Sequence, residues 1–218
     1  LNAGQTCVAP DYLFVHESVR DELVAELEKN VRAFFGEDPL ACPDYVKIIN
    51  DKHYQRIQGL IAGEHAVFGG QVRDGRIAPT LLDGITGDSP IMQEEIFGPV
   101  LPMMTYEDLD QVIAFVTSRP KPLALYLFTT DHDTERTVLE RVSFGGGCVN
   151  DTIIHLATPY MPFGGVGDSG MGGYHGKYSF DTFTHYKSVL KKANWPDLPM
   201  RYQPYTDGNF KLLRMFLK

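Results

Sequence analysis

The sequence predicts an α/β protein built on an open, twisted parallel sheet flanked by helices. Three observations carry this prediction. Short apolar runs alternate along the chain with segments of helical periodicity, the pattern of strands covered by helices. The 218 residues are 43% hydrophobic and 22% charged, an ordinary globular balance with length enough to enclose a core. After Pro159 the texture changes to a glycine-rich stretch and then to aromatic and β-branched residues, which predicts a structured loop leading into an extended strand that leaves the main body.

Taken in order, Tyr12 to Val15 reads as the first strand. From Ser18 onward, Leu23, Leu27, Val31 and Phe34 recur at helical spacing, with Ser18 as N-cap and Gly36 as the stop. A second helix is expected over Asp51 to Ala62 and a third over Glu107 to Ser118, where Leu109, Val112, Ile113 and Val116 share a face. PLALYLFTT is short, apolar and bounded by Pro122 and polar residues, so it reads as a buried strand. Helical spacing returns over Asp133 to Val142, and GGGCVN emerges from a glycine turn as a short strand. Residues 1–176 are thereby expected to form the α/β domain, and residues 177–218 the strand and a C-terminal extension.

Charge and cysteine usage narrow the function. Asp+Glu total 28 against 20 Lys+Arg, a formal net charge of -8, which excludes a broad nucleic-acid face. Cys7, Cys42 and Cys148 lie far apart and lack the close pairing with histidine that zinc requires, so no metal is expected and a reducing compartment fits. No signal-peptide pattern is present, and the apolar run from Leu123 to Phe128 is far too short to span a bilayer. The tail NFKLLRMFLK is basic and apolar but also too short. The expected setting is the cytoplasm.

Gly165, Gly167 and Gly170 spell GxGxxG, the dinucleotide fingerprint. That fingerprint needs a strand before it, a helix after it and an acidic residue some way on. Here Pro159 and Pro162 precede it, and Tyr178, Phe180, Phe183 and Thr184 after it favour a strand, so the glycines are read as backbone turns with positive φ. The other conspicuous feature is Cys7 in LNAGQTCVAP. Gly4 permits close backbone approach, Gln5 and Thr6 supply polarity, Asn2 can brace the turn, and the Cys7 N–H could face an oxyanion. On residue type alone a nucleophile and a small apolar filler both remain open.

NAGQTCVAPDY resembles the catalytic-cysteine motif of the aldehyde dehydrogenase superfamily, and QEEIFGPVLP at Gln93 to Pro102 is similar to that family's second signature. SRPKPLALYLF, CVND and MPFGGVGDSGMGGYHGKYSFDTFTHYKS further resemble its class 3 branch, so the likeness spans nearly the whole chain. The resemblance implies the catalytic half of such an enzyme, with the coenzyme domain of Rossmann type lying upstream and absent from this sequence. It implies oxidation of an aldehyde to an acid with NAD or NADP, through a thiohemiacetal and a thioester on Cys7. The Cys7 N–H would supply half of an oxyanion hole. The Asn side chain that completes it, and the Glu general base of a Leu-Glu-Leu-Gly-Gly type turn, belong to the upstream part, so this chain alone is expected to be inactive. The NAD-or-NADP choice and the aldehyde stay open.

By the same resemblance Glu95 holds the nicotinamide ribose, Phe97 packs near the nicotinamide, and Glu94 is left without a role. Phe163 would line the aldehyde channel, Asn150 brace the substrate site, and His155 lie near the channel mouth. Phe163, Tyr160 and Met161 suggest an apolar channel, while His175 and His185 are expected to be framework. Phe180 to Val189 would form the strand that pairs two subunits into a homodimer. Two other readings stay in view: a cysteine hydrolase or esterase using Cys7 with His155 or His175 and Asn150, and an inactive packing and dimerisation module.

Overall fold

In a computed structural model, residues 1–217 are described, and they divide into a main unit, Leu1–Phe183, and a second unit from Thr184 on. The main unit contains β1 (Leu13–His16), α1 (Arg20–Phe35), α2 (Asp51–Ile61), β2 (His65–Phe68), β3 (Val72–Arg73) and β4 (Arg76–Ile77). These are followed by β5 (Thr80–Asp83), β6 (Val100–Tyr106), α3 (Leu109–Thr117), β7 (Ala124–Leu127), α4 (His132–Arg141), β8 (Gly146–Val149) and α5 (Gly176–Thr182). The second unit holds α6 (Asp207–Phe216).

The α/β class holds, but the sheet is mixed rather than parallel throughout. Its order is β1-β6-β5-β2, with β1, β6 and β5 mutually parallel and β2 antiparallel to β5. The reason lies in the connection: residues 69–79 carry only the β3–β4 hairpin, whereas a parallel return needs a longer crossover, usually a helix. Strands β7 and β8 form a separate parallel pair, joined by α4. The core clusters follow this layout. Val15, Leu81 and Met103 pack under Leu23, Val24 and Leu27 of α1, while Ile113, Val138 and Val142 cover Leu125 and Leu127.

Local chemistry sets the helix ends. Asn50 caps α2 through His53 N–H, Asp108 caps α3 through Asp110 N–H, and Asp131 caps α4 through the N–H groups of Asp133 and Thr134. Helix α1 starts later than Ser18. That serine lies in a single 3-10 turn at Glu17–Val19, with its N–H donated to the His16 ring, and α1 follows it. The buried stripe shifts accordingly: Phe34 is 72% exposed, and Phe35 packs edge-on against Tyr45 at 5.0 Å.

Of the stretch from Phe180 to Val189, expected as a strand that pairs two copies, residues 180–182 belong to a helix instead. Tyr178 and Phe180 lie in α5, and residues 184–193 carry no regular structure. Short-range bonds outweigh β propensity here. Thr182 Oγ1 donates to the Tyr178 carbonyl at 2.8 Å, and Lys177 pairs with Asp181 one turn on. Among the described residues no helix is long and apolar enough to cross a membrane, and no cluster of His, Cys, Asp and Glu could hold a metal.

Candidate active site

Cys7 occupies the corner of a tight turn closed by Ala9 N–H donating to the Thr6 carbonyl at 2.9 Å. Its thiol is exposed and unpaired, and no hydrogen bond among the described residues engages its N–H. The approach to the turn is a run of positive φ at Asn2, Ala3 and Gly4, with φ of 51°, 49° and 71°. Only glycine fits at position 4, because a Cβ there would fall 2.1 Å from the Gly98 carbonyl oxygen. Asn2 Nδ2 donates to the Gln5 carbonyl at 3.0 Å, and the Gln5 amide ties the turn to the Lys47 carbonyl and the Ile49 N–H.

The second element is the loop between the 3-10 turn at Pro90–Met92 and β6. Its Ile96 is buried in the main core, whereas Glu95 and Phe97 face outward. Phe97 has φ of 50°, a backbone state that a bulky residue adopts only when its surroundings hold it there. Two side chains do so. Asp11, four residues after Cys7, accepts the Ile96 N–H at 2.9 Å, and burial pushes its carboxyl above the usual aspartate range while that bond pulls it down. From α2, Arg56 spreads its guanidinium over the Glu94 carboxylate at 2.9 Å, the Glu95 carbonyl at 3.2 Å and the Ile96 carbonyl at 2.5 Å. Glu94 is thus an anchor for its loop. The Glu95 carboxylate has no hydrogen bond or ion pair among the described residues and stands open to solvent.

The third element is the β7–β8 pair. Tyr126 and Cys148 are register partners. The Tyr126 hydroxyl donates to the Val8 carbonyl at 2.6 Å, directly after Cys7, and burial raises its pKa so that it stays a donor. Its ring packs 5.9 Å from His155, which lies 6.1 Å from Phe163, which stacks on His175 at 6.2 Å. His155 is buried. Its Nδ1 lies 3.6 Å from Cys148 Sγ, its Nε2 has no hydrogen-bond partner among the described residues, and desolvation holds the imidazole below the usual histidine range. The His155 ring is thus a polar neighbour of Cys148. Asn150 spends both ends of its amide on Thr129, accepting from the N–H and donating to the carbonyl, each at 2.9 Å.

The structure therefore joins the Cys7 turn to the Glu95 and Phe97 loop through Gly4 and Asp11, and to His155 and Phe163 through Tyr126. It turns the Asn150 amide toward Thr129 instead. Arg56, Asp11 and Tyr126 were not singled out from sequence. Asp11 sits inside NAGQTCVAPDY and Tyr126 inside SRPKPLALYLF, and only a fold shows what they reach. A cavity of about 540 Å³ opens beside the Cys7 turn, between Leu27, Phe35, Tyr45 and Leu101; neither Cys7 nor Phe163 lines it.

The glycine loop is held differently. A Cβ on Gly165 would lie 2.1 Å from the Ser169 carbonyl oxygen, and one on Gly164 would lie 2.2 Å from that of Gly172. Gly167 and Gly170 have φ of 63° and 144°, and neither a strand directly before nor a helix directly after the loop is present. The strand-turn-helix of a dinucleotide fingerprint is missing, and the glycines serve turns and close backbone contact.

The chain as a whole has counterparts among known proteins. The aldehyde dehydrogenase family profile matches residues 1–189, and the chain belongs to that family. It is 54% identical, over 100% of its length and 48% of the relative's, to 4,4'-diaponeurosporen-aldehyde dehydrogenase of Staphylococcus aureus. It is 45% identical to aldehyde dehydrogenase family 3 member B1 of Rattus norvegicus, over 97% of this chain and 46% of that one. A solved structure of Staphylococcus aureus AldH in a substrate-bound state matches with a TM-score of 0.91 and 53% identity, covering 99% of this chain and 48% of that one. The chain spans about half the length of these relatives. Family members use NAD or NADP.

Proposed function

We propose that this chain is the catalytic portion of an NAD(P)-dependent aldehyde dehydrogenase, with Cys7 as nucleophile. The observation that carries the reading is the docking of the Cys7 turn, its thiol exposed and its N–H unbonded, against the loop that presents Glu95 and Phe97. The thiolate attacks the aldehyde carbon, and the oxygen of the resulting thiohemiacetal lies within reach of a donor such as the Cys7 N–H. A nicotinamide coenzyme, when bound, supplies the hydride acceptor. Glu95 fits its ribose end, since an unengaged carboxylate can accept two hydroxyl hydrogen bonds, and exposed Phe97 offers a ring face beside it. Water then releases the acid from the Cys7 thioester.

Phe163 and buried His155 wall the aldehyde side, and Asn150 braces it through Thr129. The same proposal has residues 1–218 inactive on aldehyde by themselves, because Glu95 and Phe97 would meet only the nicotinamide end of the coenzyme. Pairing of two copies belongs to it as well, supported by exposed Phe183, Val189 and Leu190, as does a cytoplasmic setting, supported by unpaired cysteines. A cysteine hydrolase is disfavoured by geometry: His155 Nδ1 faces Cys148, and no histidine hydrogen-bonds Cys7 among the described residues.

The test is acylation by a nitrophenyl acetate ester, followed by mass spectrometry, together with aldehyde-dependent reduction of NAD+ or NADP+. The expected result is one acetyl group on Cys7, none in Cys7→Ser, and no reduced coenzyme. Acylation elsewhere would overturn the assignment of the nucleophile.

A further inference from the structure

We infer that Tyr126 is a positioning residue for the reaction at Cys7, acting through the peptide plane that carries the Cys7 N–H. The inference rests on Cys7 being the nucleophile. It begins with the two peptide planes of the turn. The Val8–Ala9 plane is held on both edges: its N–H donates to the Thr6 carbonyl at 2.9 Å, and its C=O accepts the Tyr126 hydroxyl at 2.6 Å. The Thr6–Cys7 plane carries the carbonyl that receives the first of these bonds and, on its other edge, the Cys7 N–H. Rotation of the second plane is thus coupled to the first, and the first is fixed from outside the turn by one phenol.

Two further facts make Tyr126 the part that does this. Val8 is 1% exposed, so water is poorly placed to replace the hydroxyl at its carbonyl. The phenol in turn is fixed by its strand, where it pairs in register with Cys148, and by the His155 ring, tilted beside it at 5.9 Å. Cys7 is exposed, and its thiol makes no hydrogen bond to any of these groups among the described residues.

The arrangement makes a separable demand on two reactions of the same sulfur. Acyl transfer builds negative charge on an oxygen that the Cys7 N–H can receive, whereas alkylation by iodoacetamide builds no oxyanion. In the 218-residue chain, Tyr126→Phe removes one oxygen atom and keeps the ring. Cys7 acylation by nitrophenyl acetate should slow by about tenfold, the order of one hydrogen bond. Alkylation of Cys7 should keep its rate, with Cys42 alkylation as an internal reference and the melting temperature as the check on folding.

Equal acylation rates in the two proteins would overturn the role of Tyr126. Parallel loss of acylation and alkylation would overturn it in favour of simple structural support. Acylation that persists in Cys7→Ser would overturn the nucleophile assignment beneath it, a result that the Tyr126→Phe comparison alone does not produce. Tyr126→Leu, which also removes the ring packing on His155, should slow acylation at least as much as Tyr126→Phe; a smaller effect would count against the hydroxyl.

Discussion

The loop at residues 93–99 and the glycine loop at residues 164–173 are both irregular, and they are held by opposite means. Side chains reach into the first: Asp11 takes the Ile96 N–H, and Arg56 gathers two carbonyls and the Glu94 carboxylate. In the second, backbone presses on backbone at Gly164 and Gly165 with no room for a Cβ, and the side chain that helps, Ser169, bonds to Val166 within the same loop. The difference teaches where each can be altered. A loop stapled by side chains loses its staples one at a time, while a loop closed by backbone contact fails as a whole when one atom is added.

The largest effect is therefore expected from Gly165→Ala. With a methyl group 2.1 Å from the Ser169 oxygen the backbone must move, and the stability loss should be about 3 kcal/mol or more by urea denaturation. A loss below that of Arg56→Ala would erase the contrast. Arg56→Ala should come next, at about 2 kcal/mol, because charge-assisted bonds to half-buried carbonyls are lost together. Arg56→Lys should recover part of this through Glu94 and little through the carbonyls. Full recovery would show that charge rather than the planar fork holds the loop.

His155 adds a third case, 6.1 Å from the Phe163 ring at the edge of the glycine loop. Burial lowers its pKa in the folded chain, so as pH falls below about 6.5 the unfolded chain takes up a proton first. The stability it supports is complete above that value and is lost as pH drops toward the folded value. His155→Phe should flatten this slope in a denaturation series from pH 7.5 to about 5; an unchanged slope would assign the pH dependence to other groups. The smallest effect is expected at Glu95, which is exposed and unengaged. Glu95→Gln should change stability by less than about 0.5 kcal/mol and leave Cys7 acylation intact. Slower acylation would place this carboxylate on the aldehyde rather than on the coenzyme.

Helices α2, α3 and α4 were legible in sequence from helical spacing, although their caps at Asn50, Asp108 and Asp131 emerged only with the structure. The central strand β6 was not. Pro102 lies within it, and proline argues against an interior strand unless a fold supplies the other hydrogen bonds. The antiparallel β2 was hidden by its four-residue length between glycine turns. At the site, motif likeness singled out Cys7, Glu95 and Phe97, but the groups that fix them sit far away in sequence and have ordinary neighbours. Arg56 reads as one more charge on an amphipathic helix, and Tyr126 as one more apolar residue of a buried strand. The strand expected at Phe180 shows the reverse error, where aromatic and β-branched content outvoted the i, i+4 pairing of Lys177 with Asp181.

The bond from Tyr126 to Val8 spans 118 positions, and that from Ile96 to Asp11 spans 85. A ribosome adds roughly 5 to 20 residues per second, so the cysteine is made on the order of ten seconds before the phenol that secures its turn. Through that interval the nascent chain carries an ordinary thiol with no ordered N–H beside it, and contacts of such long range close late in folding. Under the proposed function, the turn that carries Cys7 is secured only once the β7–β8 pair has formed.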